Sequence, residues 1–395
     1  MSNPYQAFNL DSKLLALAEF SKETRRHLHQ IPELSGAETK TSAYCSELME
    51  QAGYQLTRYD DCTGFVASLE INPQWDWIAF RADMDALEMD DLTNNEFSSK
   101  HPGCAHNCGH DTHMSIALTA AKYMAANTAE LKHNVRFVFQ MAEEDMRVPG
   151  ANKMVELGCM DNISEVYALH NDAALEYGTV KFNNGIMSSY GSAWTLNVHG
   201  VSAHGSTPQK GLDAIREASR IIMDMDYVVA KRTNPFSPAV FGCGMFNGGS
   251  IPNAIPDHAS ARGTIRAMDS ETDAILKDSF NMFVKESEIR GFNTTMDCVG
   301  YPAVINHPEA YQRLLTVAEG IVPSDRLQAN GLPMSGSEDF SLMVNAAKDA
   351  KGAMFFLGSG NSAKGISNYL HANPYFIDDD FMLIGAQIFI KLASS

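Results

Sequence analysis

Trp77-Ile-Ala-Phe-Arg-Ala-Asp83 is a short, largely apolar run that stops on a carboxylate. It is apolar enough to be covered on both faces, which predicts a central strand of a sheet. Its end is as informative as its body, because Asp83, Asp85 and Glu88 follow in close succession. The same arrangement recurs downstream. Val135-Arg-Phe-Val-Phe-Gln140 reads as a strand that runs into Glu143-Glu144, and Val166-Tyr-Ala-Leu-His170 reads as a strand ending on an imidazole. Helical patterns at about 111–126 and 150–157 separate them. Strand, polar terminus and helix in repetition predict an α/β fold whose functional site lies at the carboxyl ends of the strands.

Outward from this frame, residues 12–30 place Leu14, Leu15, Leu17 and Phe20 on one side and predict an amphipathic helix stopped near Pro32. A second helix is expected over 37–52, ending at Gly53, and a strand at Phe65-Val-Ala-Ser-Leu-Glu70. The middle third changes character. Trp194-Thr-Leu-Asn-Val-His-Gly200 alternates like a half-exposed strand. Helices at 211–230 and 271–289 and strands at 239–245, 261–268 and 294–299 complete β-α-β-β-α-β, a small ferredoxin-like α+β sandwich. Helical patterns return at 308–320, 339–347 and 381–392. The expected organisation is therefore a main domain made of 1–184 and 304–395, with 185–303 inserted into it.

A chain of 395 residues is too long for one ordinary core, which agrees with two domains. The formal charge of −18, from 48 acidic and 30 basic residues, disfavours nucleic acid and anionic membrane surfaces as partners. Seven cysteines, at 45, 62, 104, 108, 159, 243 and 298, are odd in number and follow no repeating frame, so a reducing compartment is expected rather than a disulfide scaffold. The stretch Met1–Lys13 lacks a basic start followed by an apolar run, and no later stretch is long and apolar enough to span a bilayer. A cytoplasmic location is the resulting expectation.

The densest chemistry is in Cys104-Ala-His-Asn-Cys-Gly-His-Asp-Thr-His113. Within it Cys108-Gly-His110 sets a thiolate and an imidazole two residues apart, with a glycine that lets the backbone curl so both converge on one ion. Glu144, His170 and His371 are further candidate donors. Five donors exceed what one tetrahedral ion with an open position needs, which suggests two ions sharing a donor. In isolation Glu143-Glu144-Asp145 is a solvated acidic turn. At a strand terminus, however, adjacent carboxylates point in different directions, so that one can bind metal while the other takes a proton.

These segments, together with Arg26-His-Leu-His-Gln-Ile-Pro-Glu33, Arg81-Ala-Asp-Met-Asp-Ala-Leu87, Gly248-Gly-Ser-Ile-Pro-Asn-Ala-Ile-Pro-Asp257, Gly263-Thr-Ile-Arg266, Gly336-Ser-Glu-Asp-Phe340 and Leu370-His371, stand in an order that resembles the dinuclear metal-dependent aminoacylase and carboxypeptidase superfamily. Within it the chain is most similar to the N-acyl-amino-acid amidohydrolases typified by hippurate hydrolase and the plant auxin-conjugate hydrolases. The resemblance implies a zinc-peptidase-like catalytic domain with a mixed central sheet flanked by helices, and an inserted lid domain that mediates homodimerisation. It implies two divalent ions per subunit (zinc, manganese, cobalt or nickel), bridged by Cys108 and completed by His110, Glu144, His170 and His371. Glu143 would be the general base, Asp83 the carboxylate that orients the ligands from behind, and His204 the lid histidine that reaches the reacting carbonyl oxygen. Asn253 and Arg266 would hold the substrate carboxylate.

The implied reaction is hydrolysis of the amide of an N-acyl amino acid or a related small conjugate, by a metal-activated water and Glu143. A dipeptidase or carboxypeptidase is the second enzymatic reading, and a catalytically silent metal-binding regulatory module the reading from another class. Three departures from the family pattern stand out: Glu88 where proline is usual, Asp145-Met-Arg-Val-Pro-Gly150 in place of a glycine-rich run, and Gln209 where histidine is common. His106, Asp111 and His113 are expected to orient ligands or cap the helix, and Cys104 to be a bystander.

Overall fold

The computed structural model describes residues 4–147 and 150–395. The first three residues, and Val148-Pro149 within the departure at 145–150, lie outside the described residues. The chain divides into two compact units: one comprises Met1–Met187, Val304–Pro333 and Asp339–Ser395, the other Ser188–Ala303 and Met334–Glu338.

The first unit is α/β, built on an eight-stranded mixed sheet. Its spatial order is Gln55–Arg58, Phe65–Leu69, Asn134–Gln140, Trp77–Asp83, Ile163–Glu176, Gly352–Gly360, Val180–Lys181 and Leu327–Gln328. The strand Trp77–Asp83 is central, as its apolar run predicts: it pairs in parallel with both Asn134–Gln140 and Ile163–Glu176 and is buried from Ile78 to Asp83. Two features differ from the sequence expectation. Gly352–Gly360 is a strand with all nine residues buried, parallel to Ile163–Glu176. Its sequence Gly-Ala-Met-Phe-Phe-Leu-Gly-Ser-Gly carries no alternation and glycines at both ends, so neither period marks it. The strand carrying His170 runs on to Glu176, which puts His170 inside the strand rather than at its end. Pairing with Trp77–Asp83 nevertheless stops at Arg81–Ala168, so His170 stands just beyond the part of the strand paired on that side.

Helices cover the sheet. His110–Ala126 is buried at 14 of its 17 positions, its polar first turn included. It packs against Ala18–Gln30 and Met382–Ser394. The N-terminal helix is interrupted at Ala16-Leu17, which separates the short turn Ser12–Leu15 from Ala18–Gln30. Between sheet and helix, the Phe80 ring lies 5.4 Å from Phe137 and 4.6 Å from Phe389, each such side chain worth roughly 1.5–3 kcal/mol of burial.

The second unit is a four-stranded antiparallel sheet in the order Ala239–Gly248, His258–Ala267, Tyr190–His199, Asn293–Tyr301, with helices Ala214–Lys231 and Ser270–Ile289. Along the chain this is β-α-β-β-α-β. Its core centres on Trp194, stacked on Phe241 at 5.0 Å and edge-on to Phe280 at 5.3 Å. Both helices start on an aspartate whose side chain accepts a backbone N–H in the first turn, Asp213 from Arg216 and Asp269 from Thr272. Among the described residues no helix is long and apolar enough to cross a membrane, and all seven cysteines are free.

Candidate metal centre

The parallel strands Trp77–Asp83, Asn134–Gln140 and Ile163–Glu176 deliver their polar residues to one end of the first unit's sheet, where helix His110–Ala126 begins. Gly109 caps that helix at φ +90°, and a Cβ there would fall 2.2 Å from the Asn171 side-chain oxygen. Glycine therefore serves twice, for the left-handed backbone and for the close approach, and this turn aims Cys108 and His110 at the same volume. The partial positive charge of the helix N-terminus faces the same volume.

The donors converge in overlapping groups. The ligand atoms of Cys108, His110 and His170 lie within 4.8 Å of one another, and so do those of Cys108, Glu144 and His371, with Cys108 common to both. Cys108 Sγ is 3.4 Å from His170 Nε2, and Glu144 Oε1 is 3.8 Å from His110 Nε2 and 3.5 Å from His371 Nε2. Glu143 Oε2 stands 4.0 Å from His110 Nε2. All of the Cys108, His110, Glu143, Glu144, His170 and His371 positions belong to the first unit.

The two buried imidazoles are held by their other nitrogens. His110 Nδ1 donates to the Asp85 carbonyl oxygen at 2.9 Å and His170 Nδ1 to the Asn171 carbonyl oxygen at 2.7 Å, which leaves both Nε2 lone pairs facing inward. Asp83 receives the Arg81 guanidinium and the His113 ring, each at 2.6 Å, with His110 Nε2 at 3.5 Å. Both nitrogens of His113 are engaged, by Asp83 and by Asn171. Asp111 is occupied by Arg25 at 2.7 Å and His29 at 2.8 Å, a buried ion pair under the helix start.

Two segments that carry candidate donors have strained backbone. Ala142, between strand Asn134–Gln140 and Glu143, has φ +48°, and His371 has φ +64°. Left-handed conformations of this kind cost about 1–3 kcal/mol and persist where surroundings enforce them. At His371 the enforcing contact is Asn107: its carbonyl accepts the His371 N–H at 2.9 Å, and its side-chain amide donates to the Ala372 carbonyl at 2.8 Å. Asn107 precedes Cys108, so one residue ties the His371 turn to the Cys108–His110 turn.

The residues fit a cationic group. Among the described residues, His110 Nε2 and Glu144 Oε1 are buried without a hydrogen-bond partner, which is costly for polar atoms unless something else satisfies them. Burial would lower the His110 pKa, yet Asp83, Asp85 and Glu144 push it up to about 10; a field that holds a proton on that nitrogen also holds a metal cation. Burial, followed by Glu144, Glu143 and Asp83, pushes the Cys108 thiol well up, so a thiolate there needs a cation beside it. Burial and the neighbouring His113 keep His170 neutral, the form that ligates. Burial opposes ionisation of Asp83, but Arg81, His110 and His113 hold its carboxyl well below the usual range. Thiolate, imidazole and carboxylate donors suit zinc, manganese, cobalt or nickel, and the chain carries donor groups for two such ions.

Asp85 stood in the sequence only as part of the acidic strand end, with no role given to it. Its Oδ2 accepts the Glu144 N–H at 3.0 Å and the Ser35 hydroxyl at 2.7 Å, while its Oδ1 lies 3.3 Å from His110 Nδ1. The signal that points to it is the i, i+2 spacing of Asp83-Met-Asp85, which sets both carboxylates on one side of an extended segment. Asn107 and Asn171 carry no comparable signal. The remaining candidates lie in the second unit. His204 is exposed, its Nδ1 2.7 Å from the Ser206 hydroxyl, and its two-residue strand Ala203–His204 pairs with Ala254–Ile255 beside Asn253. Arg266, on strand His258–Ala267, bonds to Ser337.

Residues 79–395 match Peptidase family M20/M25/M40. The chain is 31% identical over 378 residues to thermostable carboxypeptidase 2 of Saccharolobus solfataricus, covering 94% of each protein. It is 30% identical over 396 residues to hippurate hydrolase of Campylobacter jejuni, covering 98% of each. The crystal structure of Bacillus subtilis YXEP protein, described as a dinuclear metal binding peptidase from the M20 family, superposes with a TM-score of 0.78 at 25% identity, over 96% of this chain and 98% of that one.

Proposed function

The chain belongs to peptidase family M20/M25/M40, and from that premise we propose that it is a metal-dependent amidohydrolase that cleaves the amide bond of N-acyl amino acids or related small conjugates. The observation that carries this reading is the pair of donor groups sharing Cys108 with Glu143 at their edge. Similarity to hippurate hydrolase over nearly the whole length supports an N-acyl substrate.

In this reading Cys108, His110, Glu144, His170 and His371 hold two divalent ions. Bound there, the ions supply polarisation of the scissile carbonyl and a lowered pKa for the attacking water. Glu143, whose carboxylate reaches the edge of the donor cluster, takes the proton of that water and passes it to the leaving amine. Asp83, Asp85 and His113 keep the imidazoles in fixed orientation. His204 donates to the carbonyl oxygen as negative charge develops, an interaction worth about 3 kcal/mol of barrier. Asn253 and Arg266 receive the substrate carboxylate.

We assign 185–303 as a lid that also forms a homodimer. The exposure of Val240, Met245 and Phe246 on strand Ala239–Gly248, and of Met223 and Tyr227 on helix Ala214–Lys231, supports an apolar contact surface there. Sedimentation equilibrium tests the dimer, and a monomer at micromolar concentration refutes it. The free cysteines agree with a reducing, cytoplasmic setting.

The test of function is release of free amino acid from a panel of N-acetyl and N-benzoyl amino acids, with dipeptides alongside, in the presence of zinc or manganese. Turnover of N-acyl substrates that disappears in Glu143→Ala, with metal content near wild type, supports the reading. Cleavage of dipeptides alone moves it to a peptidase, and full metal binding without turnover of any substrate refutes the catalytic assignment.

A further inference from the structure

Glu38 is buried at 0% exposure, and among the described residues no basic side chain pairs with it. A carboxylate so placed is costly unless its oxygens are fully used. Both oxygens are engaged. Oε1 accepts the N–H groups of Gly36 at 2.9 Å and Ala142 at 2.8 Å, and Oε2 accepts the Thr63 hydroxyl. The contact that spans the fold is the one to Ala142, over a hundred residues away in sequence and immediately before Glu143.

Ala142 is the left-handed residue at φ +48°. Its N–H is held by Glu38 and its carbonyl oxygen by the Gly150 N–H at 3.1 Å. Next along the chain, Asp85 holds the Glu144 N–H. The turn that directs the two glutamates is thus pinned at successive points, and Glu38 pins the residue whose conformation an L side chain resists. Released, Ala142 would relax toward a right-handed or extended conformation. The reorientation would reach Glu143 directly, as the residue that follows Ala142 in the chain.

We propose that Glu38 is a positioning residue for the reaction: through its hydrogen bond to the Ala142 amide it locks the left-handed turn that aims Glu143 at the attacking water. This rests on the proposed function, in which Glu143 is the base. What the site requires of position 38 is reach and an acceptor oxygen, so the two conservative replacements separate. Glutamine retains the length and an oxygen for both amides, whereas aspartate is one methylene too short to reach Ala142.

The experiment compares wild type, Glu38→Gln, Glu38→Asp, and Glu38→Asp combined with Ala142→Gly, in kcat, KM and metal content. The expected result is kcat within about threefold of wild type for Glu38→Gln. For Glu38→Asp, a kcat loss of tenfold or more is expected, with KM and metal stoichiometry little changed. The Ala142→Gly addition should recover most of that loss, because glycine takes positive φ without the steric penalty. A Glu38→Asp enzyme with near-wild-type kcat overturns the proposal. So does one that aggregates, or one equally impaired with and without Ala142→Gly, since either makes Glu38 a general scaffold residue. Absence of turnover in the wild type would sink the functional reading alone. Crystal structures of the two Glu38→Asp proteins would then decide the positioning. Ala142 is expected to leave positive φ in the single variant, and the glycine introduced by Ala142→Gly to keep it in the double; positive φ at Ala142 in the single variant overturns the proposal.

Discussion

Replacing Gly109 by alanine sets a stability cost and a metal-binding cost against each other at one residue. At φ +90° an alanine pays about 1–2 kcal/mol for the left-handed conformation. Its Cβ would also fall 2.2 Å from Asn171 Oδ1 and 2.6 Å from Asn171 Cγ. Asn171 is poorly placed to yield: it is fully buried, with its amide nitrogen 2.7 Å from the Tyr375 hydroxyl and its oxygen 2.9 Å from His113 Nε2. Overpacking of this kind costs about 1–3 kcal/mol, for a total of about 2–5 kcal/mol. Gly53 is the internal control, because it also has φ +90° but nothing among the described residues lies within 4 Å of its Cβ position. Gly53→Ala should therefore pay the backbone cost alone. Because Gly109 separates Cys108 from His110, relief of about 1.4 kcal/mol of strain by spreading those donors would weaken metal binding about tenfold. Urea denaturation of the two variants, with zinc affinity by chelator competition, reads both quantities. If Gly109→Ala destabilises no more than Gly53→Ala and binds zinc like wild type, the close approach to Asn171 carries no cost and the reasoning is refuted.

Cys108→Ser should lower metal occupancy well below two ions per chain, measured by elemental analysis; unchanged stoichiometry would count against a shared thiolate donor. Asp111→Ala leaves the buried Arg25 guanidinium with one of its two carboxylate partners, Asp379, among the described residues and should destabilise the protein by about 3–5 kcal/mol, whereas a urea midpoint within error of wild type would contradict that pairing. Burial opposes ionisation of Asp91, but the His29 ring, the Thr93 hydroxyl and the Ser99 and Thr93 amides hold its carboxyl below the usual range. A carboxyl depressed by folding contributes stability above the unfolded-state pKa of about 3.9, and that contribution fades as pH falls below it. Asp91→Asn should therefore cost stability at pH 7, by a margin that narrows toward about pH 3 in urea titrations; a margin independent of pH would refute the attribution to charge.

The sequence was most legible where local pattern and chemistry coincide. Trp77–Asp83 is central because its apolar run admits nothing else, and the β-α-β-β-α-β order of the second unit follows from alternation and helical periodicity alone. Gly352–Gly360 escaped because a strand buried on both faces loses its period. The donors Cys108, His110, Glu144, His170 and His371 could be nominated from residue type and family resemblance, and they converge in the first unit. Asp85, Asn107, Asn171 and Glu38 could not be ranked in the same way. Their importance lies in which backbone amide or carbonyl each one meets, and those partners are distant in sequence.

By itself the sequence nominated the candidate donors, the base candidate beside them and the alternation that orders both units, because those depend on side-chain chemistry and on periods of a few residues. Only the tertiary structure decided that Asp85 rather than Asp83 alone braces His110 and Glu144, and that Ala142 and His371 are held in left-handed backbone by Glu38 and Asn107. The reason is physical: a metal centre needs its ligands fixed to fractions of an ångström. That precision comes from buried hydrogen bonds between segments that meet only when the chain is folded.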